Sequence, residues 1–185
     1  MIFTSLPSKE APETIFSGSD ADIVEIATGE VKIGQGEVIL NASALGSCIA
    51  VVAYDPIGRR GGIAHVMLPG RARHDSDPKR NRFAENGIET LFDTLQQQGT
   101  LLRHTRICIA GAANVLKRPD DTICAGNITS VRNTLVATGL SICSESVGGF
   151  VRRRVRLYLP AGHVECAIGD APPFRLWNHP DEYNS

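Results

Sequence analysis

The chain has almost no net charge. Its 185 residues carry 19 Lys and Arg against 20 Asp and Glu, a formal charge of −1. That balance gives no electrostatic case for nucleic acid or an anionic membrane as the main partner. Long apolar runs are missing too. No stretch approaches the roughly 20 apolar residues that span a bilayer. The first residues, MIFTSLPSKEAPETIF, have neither a basic n-region nor a long apolar h-region, so they do not read as a secretory signal, and the expected location is cytoplasmic. No GxGxxG follows a strand-like run and no phosphate-binding loop is present, which argues against a dinucleotide or nucleotide fold. The five cysteines are odd in number and no two are spaced Cys-x-x-Cys, so neither a disulfide framework nor a structural zinc site is expected. No cofactor is implied.

What is present is an ordinary globular composition, 42% hydrophobic and 21% charged, at a length suited to one domain with a real core. Residues 1–20 are rich in Pro, Ser, Glu and Asp without sustained periodicity and read as a mobile tail. ADIVEIA and GEVILNA read as short strands separated by TGEVKIGQ. CIAVVAYD and GIAHVML are further strands, joined by the turn segment DPIGRRGG. RARHDSDPKRN is a polar loop. In NRFAENGIETLFDTLQQQG, Ile88, Leu91, Phe92 and Leu95 recur at helical spacing and Gly99 is a natural stop. TRICIAG is a strand. NITSVRNTLVATG is a second helix, with Ile128, Val131, Leu135 and Val136 as its apolar side. LSICSES, FVRRRVRLYLP and HVECAIG complete the strands, and residues 170–185 show no clear element. In FVRRRVRLYLP, Val151, Val155, Leu157 and Leu159 share a face interrupted by Arg153, while Arg152, Arg154, Arg156 and Tyr158 point the other way. The strands come mostly in consecutive pairs with few βαβ crossovers. The expected fold is α+β, a layered sandwich of mixed or antiparallel sheet with helices packed outside. Its domain would span residues 21–169.

One stretch raises a chemical question. In ALGSCIAVVAYD, Cys48 stands at the end of a Gly-Ser loop, whereas Cys108, Cys143 and Cys166 lie within strand-like runs and read as core. Cys124 lies in a polar stretch that decides nothing. His65 follows Cys48 by 17 residues, across the turn segment. A two-residue turn centred on Pro56-Ile57 would set Cys48 opposite His65. A turn centred on Gly58-Arg59 would keep both on one face but offset them by roughly 13 Å, and a bulge at Gly61-Gly62 would change the register again. From the residues alone, the two are either a catalytic dyad or two core residues of adjacent strands.

LGSCIAVVAYDP followed by GGIAHVMLP resembles the signature of the chemoreceptor glutamine deamidase family, CheD. ICIAGAANVL, GNITSVRNTL with its Arg132-Asn133 pair, and SVGGFVRRRV with Gly148-Gly149 continue the resemblance, which covers residues 22–169. It implies a fold similar to the catalytic domains of Rho-deamidating toxins. It implies Cys48 as nucleophile and His65 as its base, the histidine as imidazolium stabilising the thiolate. It implies glutamine side chains on the cytoplasmic domains of chemoreceptors as substrate, and a CheC-like phosphatase of CheY-phosphate as a further partner. The family's third catalytic residue is a threonine that falls here on Ala42. Ser43, one residue on, is then the expected replacement, with Asn41 as the weaker choice. Two other readings share these residues: a catalytically weakened module that binds and regulates a CheC-like phosphatase, and a hydrolase of receptor methyl esters.

Overall fold

A computed structural model describes residues 15–16 and 22–178. Eleven strands and two helices run in the order β1 (Ile15–Phe16), β2 (Asp22–Glu25), β3 (Val31–Gln35), β4 (Val38–Leu45), β5 (Ile49–Asp55), β6 (Arg60–Val66), α1 (Ala84–Gln97), β7 (Arg106–Gly111), α2 (Ile123–Ala137), β8 (Ile142–Val147), β9 (Arg153–Tyr158), β10 (His163–Ile168) and β11 (Phe174–Asn178). They form two sheets, ordered β1-β3-β6-β5-β7-β8 and β11-β10-β9-β4-β2. Both sheets are mixed: β1–β3, β7–β8 and β2–β4 are parallel, and the remaining pairs are antiparallel. The α+β layered architecture is therefore the one observed.

Two apolar layers hold it together, and the two-residue period of the strands sorts side chains between them. Ala50, Val52 and Tyr54 of β5 and Ile63 of β6 face the second sheet, where Leu40, Ala42, Val155, Leu157 and Cys166 meet them. Their neighbours Ile49, Val51, Ala53, Ala64 and Val66 face the opposite way, onto Ile88, Leu91, Phe92 and Leu95 of α1 and Val131 and Leu135 of α2. A strand buried on both faces reads as a continuous apolar run, which is what CIAVVAYD is. In β9, Arg153, Val155 and Leu157 are buried and Arg154, Arg156 and Tyr158 half-buried. Arg153 belongs on the inner face because its guanidinium bonds Ser146 Oγ and the Gly148 carbonyl.

Several expectations are corrected. Val31–Gln35, read as part of a connection, is β3; it pairs with β6 along its whole length. Phe174–Asn178 is a strand on β10, so the sheet extends into the stretch read as a tail. Of residues 1–20, Ile15–Phe16 pairs with β3 and the rest lies outside the described residues. Cys143 is exposed, not core, because β8 is the edge strand of its sheet, whereas Cys124 is buried at the start of α2. Val136 is 75% exposed, so α2 presents a narrower apolar stripe than its sequence suggests.

The close approach of α1 and β3 to β6 depends on Gly62. A Cβ there would stand 2.5 Å from Ile33 Cδ1, 2.7 Å from Leu91 Cδ1 and 2.8 Å from the Lys32 carbonyl oxygen. The carbonyl belongs to the sheet ladder and cannot move without breaking it. Gly62→Ala is expected to destabilise the fold by about 1–3 kcal/mol, the usual cost of overpacking, read as a lower urea midpoint at unchanged slope.

Candidate active site

The β5–β6 hairpin brings Cys48 and His65 together. Its register pairs Asp55 with Arg60 and Ala50 with His65, leaving a four-residue loop of Pro56, Ile57, Gly58 and Arg59. Asp55 shapes that loop: its Oδ1 accepts the Ile57 and Gly58 N–H groups, both at 3.0 Å. The observed register falls midway between the two that the sequence suggested. Cys48 therefore lies one diagonal from His65 on the same sheet face, roughly 7–8 Å away backbone to backbone. Both side chains face the second sheet, at the end of the layer between the sheets. His65 is 3% exposed, and Cys48 is half-buried.

The loop that carries Cys48 is held in an uncommon shape. Between Ala42 and Leu45 the β4–β9 pairing gains one residue, and Ala44 takes a positive φ of 55°. This bulge turns the chain out of the sheet toward Cys48. On the other side, the Ala112 N–H donates to the Cys48 carbonyl at 2.6 Å and the Ala113 N–H to the Gly46 carbonyl at 2.7 Å. Gly111, at φ 117°, must be glycine because a Cβ would run into that same Cys48 carbonyl. The Gly148-Gly149 step supports this loop: the Gly148 N–H donates to Gly111, and the Gly149 carbonyl accepts the Asn114 N–H. From α2, the fully buried Asn127 donates its amide to the carbonyls of Ser47 (2.8 Å) and Met67 (3.0 Å), tying the cysteine loop to the end of β6.

His65 is oriented by main chain. Its Nδ1 lies 3.0 Å from the Ile26 carbonyl oxygen. A carbonyl only accepts, so Nδ1 carries the proton and Nε2 keeps its lone pair. Nε2 is buried and, among the described residues, has no hydrogen-bond partner. The residues after Ile26 form a turn over the same site. Within it the Glu30 N–H donates to the Ala27 carbonyl at 2.9 Å, and Glu30 Oε2 accepts the Ala27 N–H at 2.8 Å. The turn is tied to β6 by Gly29 N–H to His65 carbonyl (2.8 Å) and His65 N–H to Glu30 carbonyl (2.9 Å). Thr28 lies on that turn and is exposed.

Burial sets the protonation of both groups. It pushes the Cys48 thiol up, opposed by the Thr28 hydrogen bond and by the cysteine's own backbone. It pulls the His65 imidazole down, opposed by the Ile26 carbonyl and by Glu30. Both effects of burial favour the uncharged forms, a thiol and a neutral imidazole.

The structure places Ser43 elsewhere. Its Oγ donates to Glu25 Oε2 at 3.3 Å. Asn41 donates to Glu25 Oε1 and accepts from Arg156 Nε at 3.1 Å. The period of the strand explains it: Ala42 points into the layer between the sheets, so Asn41 and Ser43 point to the outer face. Arg132 pairs with Glu145 on the surface at 2.6 Å, away from Cys48. Sequence reasoning missed Ile26 and Asn127. Only Asn127 left a signal, as a polar residue on the apolar side of a helix. Beside the loop opens a groove of about 280 Å³, lined among others by Gly46, Ser47, Val115, Leu116 and Cys124. No group of three or more His, Cys, Asp or Glu among the described residues is arranged to hold a metal ion, and no described helix is long and apolar enough to cross a membrane.

Residues 67–167 match the family described as CheD chemotactic sensory transduction. A protein of Chlorobium luteolum named probable chemoreceptor glutamine deamidase CheD is 40% identical over 153 residues, 82% of this chain and 76% of the relative. The chain belongs to the CheD family. The chemoreceptor glutamine deamidase CheD of Thermotoga maritima is 29% identical over 75% of this chain and 87% of its own. Among solved structures, a Bacillus licheniformis hypothetical protein, YfiH, aligns at 13% identity with a TM-score of 0.43, over 73% of this chain and 61% of that one. The family match begins just past His65, so the helices, Asn127 and the Gly111–Asn114 loop lie inside it, and Cys48 lies before it.

In this CheD chain, thiol accessibility and protonation rank the cysteines. Exposed Cys143 is expected to alkylate first and Cys48 second, with Cys108 and Cys124, both pushed up to about 12, and buried Cys166 last. Peptide mapping after timed iodoacetamide labelling checks the order; Cys48 labelling no faster than Cys108 would contradict the site's accessibility.

Proposed function

We propose that this protein deamidates glutamine side chains of chemoreceptors, giving glutamate and ammonia, with Cys48 as nucleophile and His65 as acid–base group. The observation that carries the reading is the buried, unpartnered Nε2 of His65, on the sheet face it shares with Cys48 and in the tautomer that leaves it basic. The activity for which the relatives are named supplies the substrate class.

The chemistry follows from a neutral pair. As the Cys48 sulfur attacks the carboxamide carbon, its proton passes to His65 Nε2 and the carbonyl oxygen becomes an oxyanion. The Gly46 N–H is already bound to the Ala44 carbonyl, so the donors for that oxyanion are the N–H groups of Ser47 and Cys48. Collapse breaks the C–N bond, and ammonia leaves with the proton from His65. Water then gives a proton to neutral His65 and attacks the thioester; glutamate forms and the thiol is restored. The layered α+β core is consistent with the toxin-like fold that the resemblance implies.

A CheC-like phosphatase fits the same reading as a second partner. Val115 and Leu116, 43% and 72% exposed, rim the groove beside Gly46 and would give either protein an apolar contact. Such a partner would then compete with receptor for the site. The cytoplasmic side, where the receptor domains lie, is the location this activity requires.

Incubating the protein with a receptor cytoplasmic fragment and mapping peptides by mass spectrometry should show glutamine converted to glutamate. Cys48→Ala should abolish the conversion, and unchanged receptor peptides with the wild type would overturn the reading. Release of methanol from methylated receptor, without glutamine conversion, would favour the methyl-ester hydrolase instead.

A second measurement tests the base. His65→Ala should lower turnover by about 10²-fold or more. Because burial lowers the His65 pKa, the neutral base persists to lower pH than a free imidazole allows. The acid limb of kcat/KM should therefore fall below the ordinary imidazole value of ~6.5. An acid limb above it would mean that the histidine works as a charged partner.

A further inference from the structure

Two peptide units carry the N–H groups that face the oxyanion, and in both the carbonyl end is held. The Gly46 carbonyl shares its peptide unit with the Ser47 N–H, and the Ser47 carbonyl shares its unit with the Cys48 N–H. The Ala113 N–H donates to the first carbonyl at 2.7 Å, and Asn127 Nδ2 donates to the second at 2.8 Å. No peptide bond among the described residues is cis. In a trans unit the carbonyl and the N–H point in opposite directions, so fixing the carbonyl aims the N–H. Among the described residues, neither the Ser47 nor the Cys48 N–H has a backbone acceptor.

The direction suits the chemistry at Cys48. α2 packs on the helical face of the β5–β6 hairpin, where Val131 and Leu135 meet Ile49 and Val51. The Ser47 carbonyl is drawn toward α2, so the Cys48 N–H is turned away from it. On that other side lies the layer between the sheets, against which Cys48 packs and to which the His65 side chain points.

Asn127 is placed for what its nitrogen does. Both of its neighbours, the Ser47 and Met67 carbonyls at 2.8 and 3.0 Å, only accept, so Nδ2 and not Oδ1 faces them. Oδ1 is left buried without a hydrogen-bond partner among the described residues. The helix around it is fixed to the same chain segment. Ser130 Oγ accepts the Gly70 N–H at 2.8 Å, and Gly126 packs so near Pro69 that a Cβ would stand 3.2 Å from its Cγ. Asn127 thus bridges the residue before Cys48 and the residue after β6 from a single rigid mount.

We propose that Asn127 is a positioning residue for the oxyanion: by holding the Ser47 carbonyl, it aims the Cys48 N–H at the charge that develops on the substrate's carbonyl oxygen. This rests on Cys48 being the nucleophile of the proposed function. An oxyanion forms when the sulfur attacks a carbonyl carbon. None forms when the sulfur displaces a halide from a saturated carbon. Asn127 therefore bears on the acylation of Cys48 and not on its alkylation.

The test compares those two reactions on one sulfur. With p-nitrophenyl acetate, Cys48 Sγ attacks the ester carbon, its proton passes to His65, and p-nitrophenolate leaves an acetyl thioester. With iodoacetamide, Sγ displaces iodide and loses its proton. Rates at each cysteine are read by peptide mapping of the full chain at one pH, with exposed Cys143 as the reference thiol. In the parent, the ratio of acylation to alkylation should be at least about tenfold higher at Cys48 than at Cys143. Asn127→Leu, near in size but without the donor, should lower the Cys48 ratio by about tenfold or more, up to the roughly 10²–10³-fold effect of losing one donor outright. Asn127→Ala removes the same donor with a smaller side chain and is read in the same way if Asn127→Leu does not fold. A disturbed loop or a changed thiol protonation alters both reactions together and leaves the ratio where it was. An unchanged ratio in a folded variant overturns the proposal, as do equal ratios at Cys48 and Cys143 in the parent, which need no variant. Receptor deamidation is assayed separately. If the ratios fall as expected but the parent deamidates nothing, the deamidase reading fails and the Asn127 assignment stands.

Discussion

The site depends on one register. Ala50 opposite His65 puts Cys48 and the imidazole on the same side of the β5–β6 hairpin, within a diagonal of each other. A slip of one residue would send one of them to the helical face while the other stayed between the sheets. The register is specified twice. Asp55 caps the loop through the Ile57 and Gly58 amides, which fixes the loop at four residues. Burial on both faces then penalises every alternative, because Ile49, Val51 and Ala53 pack on the helices while Ala50, Val52 and Tyr54 pack on the second sheet. It is this double burial that makes the sequence run so uniformly apolar.

The same burial decides the chemistry. Taking a thiol and an imidazole out of water disfavours the charged form of each, so the pair rests neutral. A neutral imidazole is useful as a base only if the correct nitrogen is free. The Ile26 carbonyl ensures that by binding Nδ1, and a carbonyl on a strand end cannot change its protonation or rotate away. Orientation by main chain needs no particular side chain at the orienting position. This is one physical reason why a chain with alanine at position 42 can still hold its histidine in a single tautomer.

How much of this could be read in the sequence follows from how local each signal is. The two helices and the apolar strands are carried by periodicity, and each is seen within a dozen or so residues; the pairing of Cys48 with His65, 17 residues apart, is carried by the family resemblance. β3 was missed because five residues containing Lys32 and Gly34 have too little apolar alternation to stand out; it is a strand because β6 offers an edge. β11 escaped for the same reason. Cys143 reads as core because it lies within the strand-like run LSICSES, but such a run does not say whether the strand is central or at an edge. Ser43 illustrates a different limit. It is adjacent to the expected position in sequence, and adjacency in a strand means the opposite face. Its partner is Glu25 on the outer side, where Asn41 and Arg156 complete a polar cluster.

Ile26 marks the boundary of what sequence proximity can reveal. It approaches His65 because β2 pairs with β4 in one sheet while β3 pairs with β6 in the other, so the connection between β2 and β3 must cross from sheet to sheet. That crossing passes over the open end of the layer where the cysteine sits. A segment that bridges two sheets is tied to both, and this one is anchored by backbone hydrogen bonds to β6 and by the Ile26 N–H to the Asn41 carbonyl on β4. The Cys48 loop is tied on its other side by Asn127 of α2 and by the Ala112 and Ala113 amides, and it follows a positive φ at Ala44 that costs local conformational energy. The strained loop thus lies between two rigid clamps, one from each side of the sandwich. Because each clamp is fixed by the packing of a whole sheet or helix, the cysteine cannot relax into a lower-energy loop without unpairing strands. The sulfur stays at the mouth of the layer, half-buried, on the sheet face it shares with His65.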